Sequence, residues 1–284
     1  SILNAFNQDL NKTGYFKSIT ILPDMQKKNG RKIPIHVITY MQPEDSFNAG
    51  IGFSTDEGIR GKFRWTRPWI NQYGHSFETN ITASIPKQEA SATYKIPLED
   101  PLYNFFSIQA GYKVLDQNDT DTKQSVVGFN RHWRLDNDWL RTIYIRFDNE
   151  TGSQGQQEFD TALILPGISF SRIRSKGGIN IDWGDKLLIY SEFANENLFS
   201  TDDVVKIYGQ SKIIRTYSGH QFLASAEAGA ILSDSIYNVP SSMRFFTGGD
   251  QSIRGYDYEE IAPRDSENYL IGGSYLATAS LEYR

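Results

Sequence analysis

Apolar and polar residues alternate with a period of two from residue 47 almost to the end of the chain. In the first segment, 47–54, Phe, Ala and Ile alternate with Asn, Gly and Ser. Further segments of this kind lie near 59–65, 77–85, 90–97, 104–115, 123–134, 140–148, 159–173, 185–194, 204–217, 221–233 and 269–283. Such alternation predicts β-strands with one apolar face, because successive side chains of a strand point to opposite sides. About twelve strands are expected, many near the ~9–11 residues with which a tilted strand crosses a membrane.

Residues 1–44 follow a different pattern. Apolar side chains from Ile2 to Leu10 recur at helical spacing, and Gly14 stands where a helix would end. Two short strand patterns follow, separated by a turn at Lys27-Lys28-Asn29-Gly30-Arg31. A helix and two strands are too few to bury a core alone. We therefore expect residues 1–44 to be the C-terminal part of a small α/β module and residues 45–284 to form an all-β domain.

Composition leaves two all-β classes open, a water-soluble sandwich and a membrane barrel. The mean hydropathy of −0.48 is polar, but a barrel also has polar loops and alternating strands. No apolar run approaches the about 18 residues of a transmembrane helix. The net charge of −5 gives no basic surface for nucleic acid, and the absence of cysteine excludes disulfides and thiolate metal sites.

Two asymmetries favour the membrane barrel. Connections after odd-numbered strands are rich in loop-forming residues, which predicts long loops at one end: 116–122, 148–157, 195–203 and 233–268. The tryptophans cluster at the opposite end, where an interfacial belt would place them: Trp65, Trp69, Trp133, Trp139 and Trp183. The N-terminal module joins the first strand at this opposite end. We therefore expect it to face the periplasm, with Arg60, Lys62 and Arg64 pointing into the lumen.

The longest connection, the predicted sixth external loop, contains an unusual glycine motif. Gly248, Gly249 and Gly255 permit positive φ angles or close backbone approach, so the segment should be folded. Asp250 follows the first two glycines, and Tyr256 follows the third.

A single arginine stands within this motif. Arg254 lies between Ile253 and Gly255, an odd position for a solvent-exposed loop but a sensible one if the loop enters the barrel lumen. There it would need an anionic partner, because an unpaired buried charge costs about 3–5 kcal/mol. Glu282, on the inward face of the next predicted strand, is the expected loop anchor.

Several motifs resemble the BamA-like outer-membrane assembly superfamily. The Ile-Arg-Gly-Tyr sequence at 253–256, followed by Ser-Leu-Glu at 280–282, is similar to that superfamily as a whole. Segment 244–263 looks like its TamA branch, the outer-membrane subunit of the translocation and assembly module. Shorter matches to that branch lie at 12–16, 52–56, 165–167, 175–178 and 182–186.

The resemblance implies a barrel of about sixteen strands that follows POTRA modules, of which about twelve strands would be present here. It also implies a protein of the Gram-negative outer membrane that inserts and folds other outer-membrane proteins, notably autotransporters, with unfolded clients, membrane lipids and a TamB-like inner-membrane-anchored partner. Transport of phospholipid to the outer membrane is also attributed to proteins of this branch together with their TamB-like partner. Pairing of Arg254 with Glu282 is implied as well, and no cofactor is expected.

A lateral gate at the first barrel strand is the mechanism that we expect. An unpaired strand edge can template a client strand by β-augmentation, and no covalent chemistry is needed. Phe47, Gly50 and Gly52 lie on this strand, and the two glycines would weaken its packing. The alternative is that these glycines make room for the sixth loop inside the barrel.

Other functions remain alternatives at this stage. An enzyme would need a nucleophile and an orienting group near one of the four histidines, and the spacing around His132 suggests neither. No metal-ligand spacing is evident. A translocation pore of the two-partner secretion type shares the Arg-Gly-Tyr loop. A passive porin would normally lack the N-terminal module. A soluble β-sandwich could be extracted from cells without detergent.

Overall fold

The computed structural model describes residues 2–27, 30, 32–54, 57–177, 180–249, 252–253 and 255–284. Within these ranges, no helix has both the length and the apolar character needed to span a membrane. Helix α1 spans Ile2–Lys12. Strand β1, Phe16–Pro23, pairs antiparallel with β2, Ile35–Met41. The N-terminal residues thus contain the helix and the two strands that their pattern predicts.

The remaining strands form one antiparallel sheet of twelve, in which each strand pairs with its neighbours in chain order from β3 to β14. The strands are β3 Ser46–Ser54, β4 Gly58–Arg67, β5 Ser76–Ser84, β6 Lys87–Pro97, β7 Phe105–Gln117, β8 Thr120–Arg134, β9 Leu140–Gln154, β10 Gln157–Lys176, β11 Trp183–Ala194, β12 Val204–Tyr217, β13 His220–Ser233 and β14 Tyr275–Tyr283. This sheet confirms the predicted all-β class and the expected strand number.

The sheet exposes its apolar face and encloses its charged one. On the outer face, Phe129 of β8 and Ile145 of β9 are about half exposed. On the inner face, Asp148, Glu150 and Glu192 are almost completely buried. A water-soluble sandwich would show the reverse distribution, since it buries apolar side chains between its sheets. The distribution is that of a membrane barrel with a polar interior.

The N-terminal unit attaches to one end of the barrel, which we call the proximal end. The hydroxyl of Tyr15 donates to the carbonyl oxygen of Gly74 at 2.9 Å. The indole N–H of Trp69 donates to the carbonyl oxygen of Gln42 at 3.1 Å. All five tryptophans lie at this end, beside connections that follow even-numbered barrel strands: Trp65, Trp69, Trp133, Trp139 and Trp183. The aromatic asymmetry seen in the sequence is therefore a property of the fold.

Of the four long loops predicted at the opposite, distal end, the structure confirms 195–203 and the long connection after residue 233, whereas the other two are wrong. The sequence predicts loops at 116–122 and 148–157, but β7 to β10 continue through most of these segments and meet in tight turns. Asn118 and Asp119 have φ angles of 53° and 63°, which are typical of the two-residue hairpins that such residues favour. A composition rich in Asp, Asn and Gly therefore marks tight turns here.

Connection lengths at the proximal end also differ from the expectation. The connections 68–75 and 98–104 are longer than the distal connection 85–86 between β5 and β6. The longest connection, residues 234–274 between β13 and β14, is nevertheless distal, and we call it loop six. Residues 269–274, assigned to the last strand from the sequence, belong to this loop.

Candidate functional site

Loop six folds back on itself. Short 3-10 turns form at Ile236–Asn238 and Ser241–Met243, and isolated bridges join the outgoing and returning halves. These bridges pair Phe245 with Gly273, Thr247 with Ile261 and Arg264 with Leu270. The loop is therefore a folded structure with its own backbone pairing.

Arg244 holds the two halves of loop six together. Its side chain is buried, and it donates to the carbonyl oxygens of Val239 at 2.8 Å, Ile271 at 2.9 Å and Tyr237 at 3.2 Å. Burial lowers the pKa of Arg244 to about 10, so the guanidinium remains protonated at neutral pH. One cation thus satisfies three carbonyl groups that would otherwise be unpaired in the interior.

Strand β9 anchors the loop to the barrel wall. The carboxylate of Glu150 accepts hydrogen bonds from Ser241 Oγ at 2.9 Å and from the backbone N–H of Ser242 at 3.3 Å. Further toward the distal end, the side-chain amide of Gln154 donates to the carbonyl oxygen of Leu270 at 2.8 Å. Both strand residues are buried, so these contacts are shielded from water.

A second anchor lies on β12, three strands from β9 along the sheet. Lys206 Nζ on β12 donates to the carbonyl oxygen of Met243 at 2.7 Å and lies 4.9 Å from the centre of the Phe245 ring. That ring fills the space above Gly229 of β13, where an added Cβ would lie 2.4 Å from a ring carbon. Loop six therefore packs against the inner face of the barrel.

Apolar side chains complete this contact. Met243, Phe245 and Val239 from loop six form a buried cluster with residues of the barrel wall. The wall contributes Leu163, Leu165, Ala194, Val204 and Ile231. The loop is thus held by a dry apolar contact as well as by the two charged anchors.

A polar and charged network extends from this contact along the lumen. Arg146 pairs with Glu192 at 2.9 Å and with Asp148 at 3.5 Å. Gln124 donates both to Asp148 at 2.9 Å and to Ser242 Oγ of loop six at 3.0 Å. The loop is therefore linked to polar side chains of three barrel strands, β8, β9 and β11.

The predicted glycine motif occupies the tip of loop six. Gly248, Gly249 and Gly255 all have positive φ angles, of 120°, 90° and 93°. A Cβ at Gly248 would lie 2.4 Å from the carbonyl oxygen of Asp257, so this position also requires glycine for space. Tyr256 is about half exposed, and its carbonyl oxygen accepts from the N–H of Gly249 at 3.0 Å.

Of the predicted ion pair between Arg254 and Glu282, the structure describes only Glu282. Arg254 and Asp250 lie outside the described residues. Glu282 lies on the inner face of β14, between the outward-facing Leu281 and Tyr283, and is 3.3 Å from Arg284. Pairing of Arg254 with Glu282 therefore stays a prediction.

The neighbours of Arg254 in the sequence are described, and they lie beside Glu282. Ser252 and Ile253 line the same cavity of about 480 Å³ as Glu282 and Lys212. The tip of loop six thus reaches the inner face of β12 to β14.

The predicted gate strand is β3, at one edge of the sheet. Phe47 is exposed on the outer face, where it stacks on Trp65 with ring centres 6.2 Å apart. Gly50 and Gly52 face inward, opposite Lys62 and Arg60 of β4.

The hypothesis that these glycines make room for loop six has no support in the described part of the chain. A Cβ at Gly50 would meet no described atom within 4 Å, and one at Gly52 would approach only the side chain of Arg60, at 3.5 Å. The register also places Arg60, Lys62 and Arg64 on the inner face, as expected from the sequence.

His132 has partners that the sequence spacing did not reveal. On the inner face, its Nε2 lies 3.0 Å from Ser107 Oγ of β7, and its Nδ1 lies 2.8 Å from Thr142 Oγ1 of β9. A hydroxyl is thus in reach of the imidazole, but Ser107 is buried and the orienting group is a threonine. The described ranges contain no cluster of His, Asp or Glu that could hold a metal ion.

The main anchors of loop six are not evident from the sequence. Glu150 and Gln154 fall in a segment expected to be loop, Lys206 is one polar position in an alternating strand, and Arg244 stands out only as the start of the family motif. Alternation could have placed Lys206 inside the barrel. Nothing in the sequence pairs it with Met243.

The comparisons with known proteins agree with this geometry. Residues 45–284 match the Omp85 superfamily domain. The outer membrane protein assembly factor BamA of Nitratidesulfovibrio vulgaris is 23% identical over 299 aligned positions, which cover 99% of this chain and 37% of that protein. The chain thus spans little more than a third of the length of that relative.

A solved structure has the same fold. BamA from Haemophilus ducreyi lacking POTRA domains 1–3 superposes with a TM-score of 0.78 at 14% sequence identity, covering 100% of this chain and 61% of that one. At this level of identity the likeness concerns the fold alone.

Proposed function

This chain belongs to the Omp85 superfamily, and from that membership and the anchored loop six we propose that it is part of an outer-membrane assembly factor. In this proposal the protein inserts and folds other β-barrel proteins in the outer membrane of a Gram-negative bacterium. It does so without covalent chemistry. The observation that carries the proposal is a barrel whose longest loop is built into its own lumen by Arg244, Glu150 and Lys206.

The physical problem that such a factor solves is the unpaired backbone of a client strand. In hydrocarbon, each unpaired N–H or C=O group costs several kcal/mol. Strand β3 lies at one edge of the described sheet, and Gly50 and Gly52 weaken its packing. We propose that this edge templates a client strand by β-augmentation.

Loop six acts as a brace in this mechanism. A barrel that opens between two strands loses wall hydrogen bonds and needs another element to keep its shape. The contacts from loop six to β9 and β12 provide it. We further propose that Arg254 completes the brace by pairing with Glu282, since Ser252 and Ile253 line the same cavity as this carboxylate.

The finer assignment follows from the motifs of loop six. We propose that the protein belongs to the TamA branch, with autotransporters among its clients and a TamB-like partner anchored in the inner membrane. Residues 1–44 would then be the end of the last POTRA module, located in the periplasm. The segment 244–263 supports this branch.

The experiment reconstitutes the full-length protein in liposomes and measures the folding of an unfolded barrel client, such as an autotransporter β-domain. Arg254→Ala should lower the rate of client folding while the variant still localises to the outer membrane. The exchanged pair Arg254→Glu with Glu282→Arg should recover part of the activity, because attraction between the two charges is restored.

Two outcomes contradict the proposal. If the wild-type protein does not accelerate client folding but conducts one secreted polypeptide, the translocation pore is the better function. If Arg254→Ala folds clients at the wild-type rate and resists heat as well as the wild type, then Arg254 is no part of the brace.

A further inference from the structure

A cavity opens on the outer face of the barrel at the proximal end. It has a volume of about 660 Å³ and lies beside the connections 98–104 and 135–139. Three arginines and three aspartates line it: Arg131, Arg134, Arg141, Asp100, Asp136 and Asp138. This cavity is far from loop six along the strands, so the brace makes no use of it.

The arginines of this cavity are held by aromatic rings. The guanidinium of Arg141 lies 4.0 Å from the centre of the Trp133 ring, and that of Arg134 lies 4.0 Å from the centre of the Tyr103 ring. Stacking engages the flat face of a guanidinium and leaves its N–H edge available to a ligand. The rings therefore preorganise cations at the membrane boundary.

Two polar atoms at the cavity have no partner. Arg141 Nε and Asn104 Oδ1 are both inaccessible to water and make no hydrogen bond within the described part of the chain. Both residues line the cavity. Buried polar atoms without a partner are rare in native proteins, and a bound ion or ligand can satisfy them.

The charges of the lining point to the kind of ligand. Three guanidinium groups and three carboxylates balance, so the cavity favours neither a simple anion nor a simple cation. A group that carries a phosphate and an ammonium matches both sets, with the phosphate at the arginines and the ammonium at the aspartates. A primary ammonium also supplies the N–H donors that carboxylates accept.

The surroundings of the cavity are apolar on the membrane side. Arg131 pairs in register with Ile143 of β9 and with Phe106 of β7, and both of these side chains are exposed on the outer face. A ligand with its head group in the cavity could lay acyl chains along this face. Free phosphate or a soluble zwitterion would gain nothing from these residues.

We propose that this cavity binds the head group of a phospholipid of the phosphatidylethanolamine class, drawn from the leaflet at the proximal end. The inference rests on the proposed function in one respect, namely that the barrel spans the outer membrane with this end toward the periplasm. The phosphate contacts Arg131 and Arg141, and the ammonium contacts Asp136 and Asp138.

The test measures lipid binding to the full-length protein in detergent by native mass spectrometry. Phosphatidylethanolamine, phosphatidylglycerol and phosphatidylcholine with identical acyl chains are the three probes, and inorganic phosphate is the competitor. The wild type should bind phosphatidylethanolamine about tenfold more tightly than the other two lipids. Millimolar inorganic phosphate should not displace it.

Two sets of variants locate the site. The double variant that combines Arg131→Gln and Arg141→Gln should have an affinity for phosphatidylethanolamine about tenfold lower than that of the wild type. The matched control is Arg215→Gln, because Arg215 also stacks on an outward-facing proximal tryptophan, Trp183 at 4.6 Å, but does not line the cavity. The control should bind as the wild type does.

The carboxylates give a test that does not depend on loss of binding. Asp136→Asn with Asp138→Asn should shift the preference toward phosphatidylglycerol, because the ammonium loses its partners while the arginines remain. Asp138 has a φ of 64°, which asparagine tolerates well, so the turn should fold normally.

Equal binding of the three lipids, displacement by inorganic phosphate, or an equal loss in Arg215→Gln would each overturn the proposal. Client folding is measured in parallel in liposomes of phosphatidylglycerol alone. Absence of client folding in these liposomes contradicts the proposed function, whereas unselective lipid binding contradicts only the head-group site.

Discussion

Lys206 Nζ on β12 donates a hydrogen bond of 2.7 Å to the carbonyl oxygen of Met243 in loop six. The two residues are 37 positions apart and are both buried. Through this bond a charge on the inner wall holds the first half of the loop. A second contact joins Glu150 on β9 to Ser241 of loop six. The two contacts fix the loop at two points of the barrel wall.

Replacement of Lys206 by methionine tests this anchor. The methionine replaces the ammonium above the Phe245 ring by an apolar group and leaves the Met243 carbonyl oxygen unpaired, at a cost of about 1–3 kcal/mol. We expect loop six to be cleaved faster in limited proteolysis, with strand content by circular dichroism unchanged. Lys186→Met, an exposed inward-facing position on the adjacent β11, is the control. Equal cleavage rates in the two variants would show that the anchor does not hold the loop.

Replacement of Arg244 by glutamine should have a larger effect. The guanidinium satisfies the carbonyl oxygens of Val239, Ile271 and Tyr237, and glutamine cannot reach all three. We expect a loss of roughly 3 kcal/mol or more in the free energy of unfolding, at about 1 kcal/mol for each unpaired group. Urea denaturation in detergent, followed by tryptophan fluorescence, measures this change.

A matched control for Arg244 lies in the same loop. Arg264 is exposed and donates to a single carbonyl oxygen, that of Asn268, at 2.8 Å. Arg264→Gln should change stability by less than about 0.5 kcal/mol, as exposed substitutions usually do. If the two variants lose the same stability, burial of Arg244 has no energetic consequence.

The strands could be predicted from the sequence because the membrane imposes a strict pattern on them. Every barrel strand has one face in lipid and one in the lumen, so apolar residues recur at every second position. The alternation predicts a strand over 204–217, and β12 has the same bounds.

The same pattern explains why the prediction of a loop at 148–157 is wrong. Beyond the membrane, both faces of a strand can be polar, and the alternation vanishes. The run from Asp148 to Gln154 contains no strongly apolar residue, so it suggested a loop, yet it is the part of β9 that contacts loop six. The contact from Glu150 to Ser241 spans 91 positions, and no local pattern encodes it.

The stability of the barrel at its first residue, Asp45, should depend on pH. Asp45 accepts hydrogen bonds from Arg67 and from the indole N–H of Trp65. The hydrogen bond with Arg67 is the largest cause of the lowered pKa of Asp45, and that with Trp65 is the next. Because the folded-state pKa lies below the unfolded value of about 3.9, the stabilisation is fully present above that value. It is lost as the pH falls through the folded pKa.

Thermal unfolding of the wild type and of Asp45→Asn measures this dependence. The wild type should melt at a higher temperature near pH 7, and the difference should shrink as the pH falls below about 4. Glu44→Gln is the control, since it changes the charge at the neighbouring position. A difference between wild type and Asp45→Asn that stays constant down to pH ~2 would rule out titration of Asp45 as the cause.

The edge strand β3 offers a test that separates stability from function. A Cβ at Gly50 would meet no described atom within 4 Å, so valine fits there without a clash. Valine favours the strand conformation, and removal of glycine lowers the entropy of the unfolded chain, together by about 0.5–1 kcal/mol. If β3 must bend or release its neighbour during assembly, Gly50→Val should melt at a higher temperature but fold clients more slowly in liposomes.

Gly61→Val is the matched control for this variant. Gly61 lies on β4 and pairs with Ile51, and a Cβ added to it would also meet no described atom within 4 Å. It should gain similar stability, but β4 is paired on both sides, so the rate of client folding should stay at the wild-type value. If Gly50→Val folds clients as fast as the control while both are stabilised, flexibility of β3 at Gly50 is not needed for assembly. A slower rate in Gly50→Val alone would place the moving edge at β3.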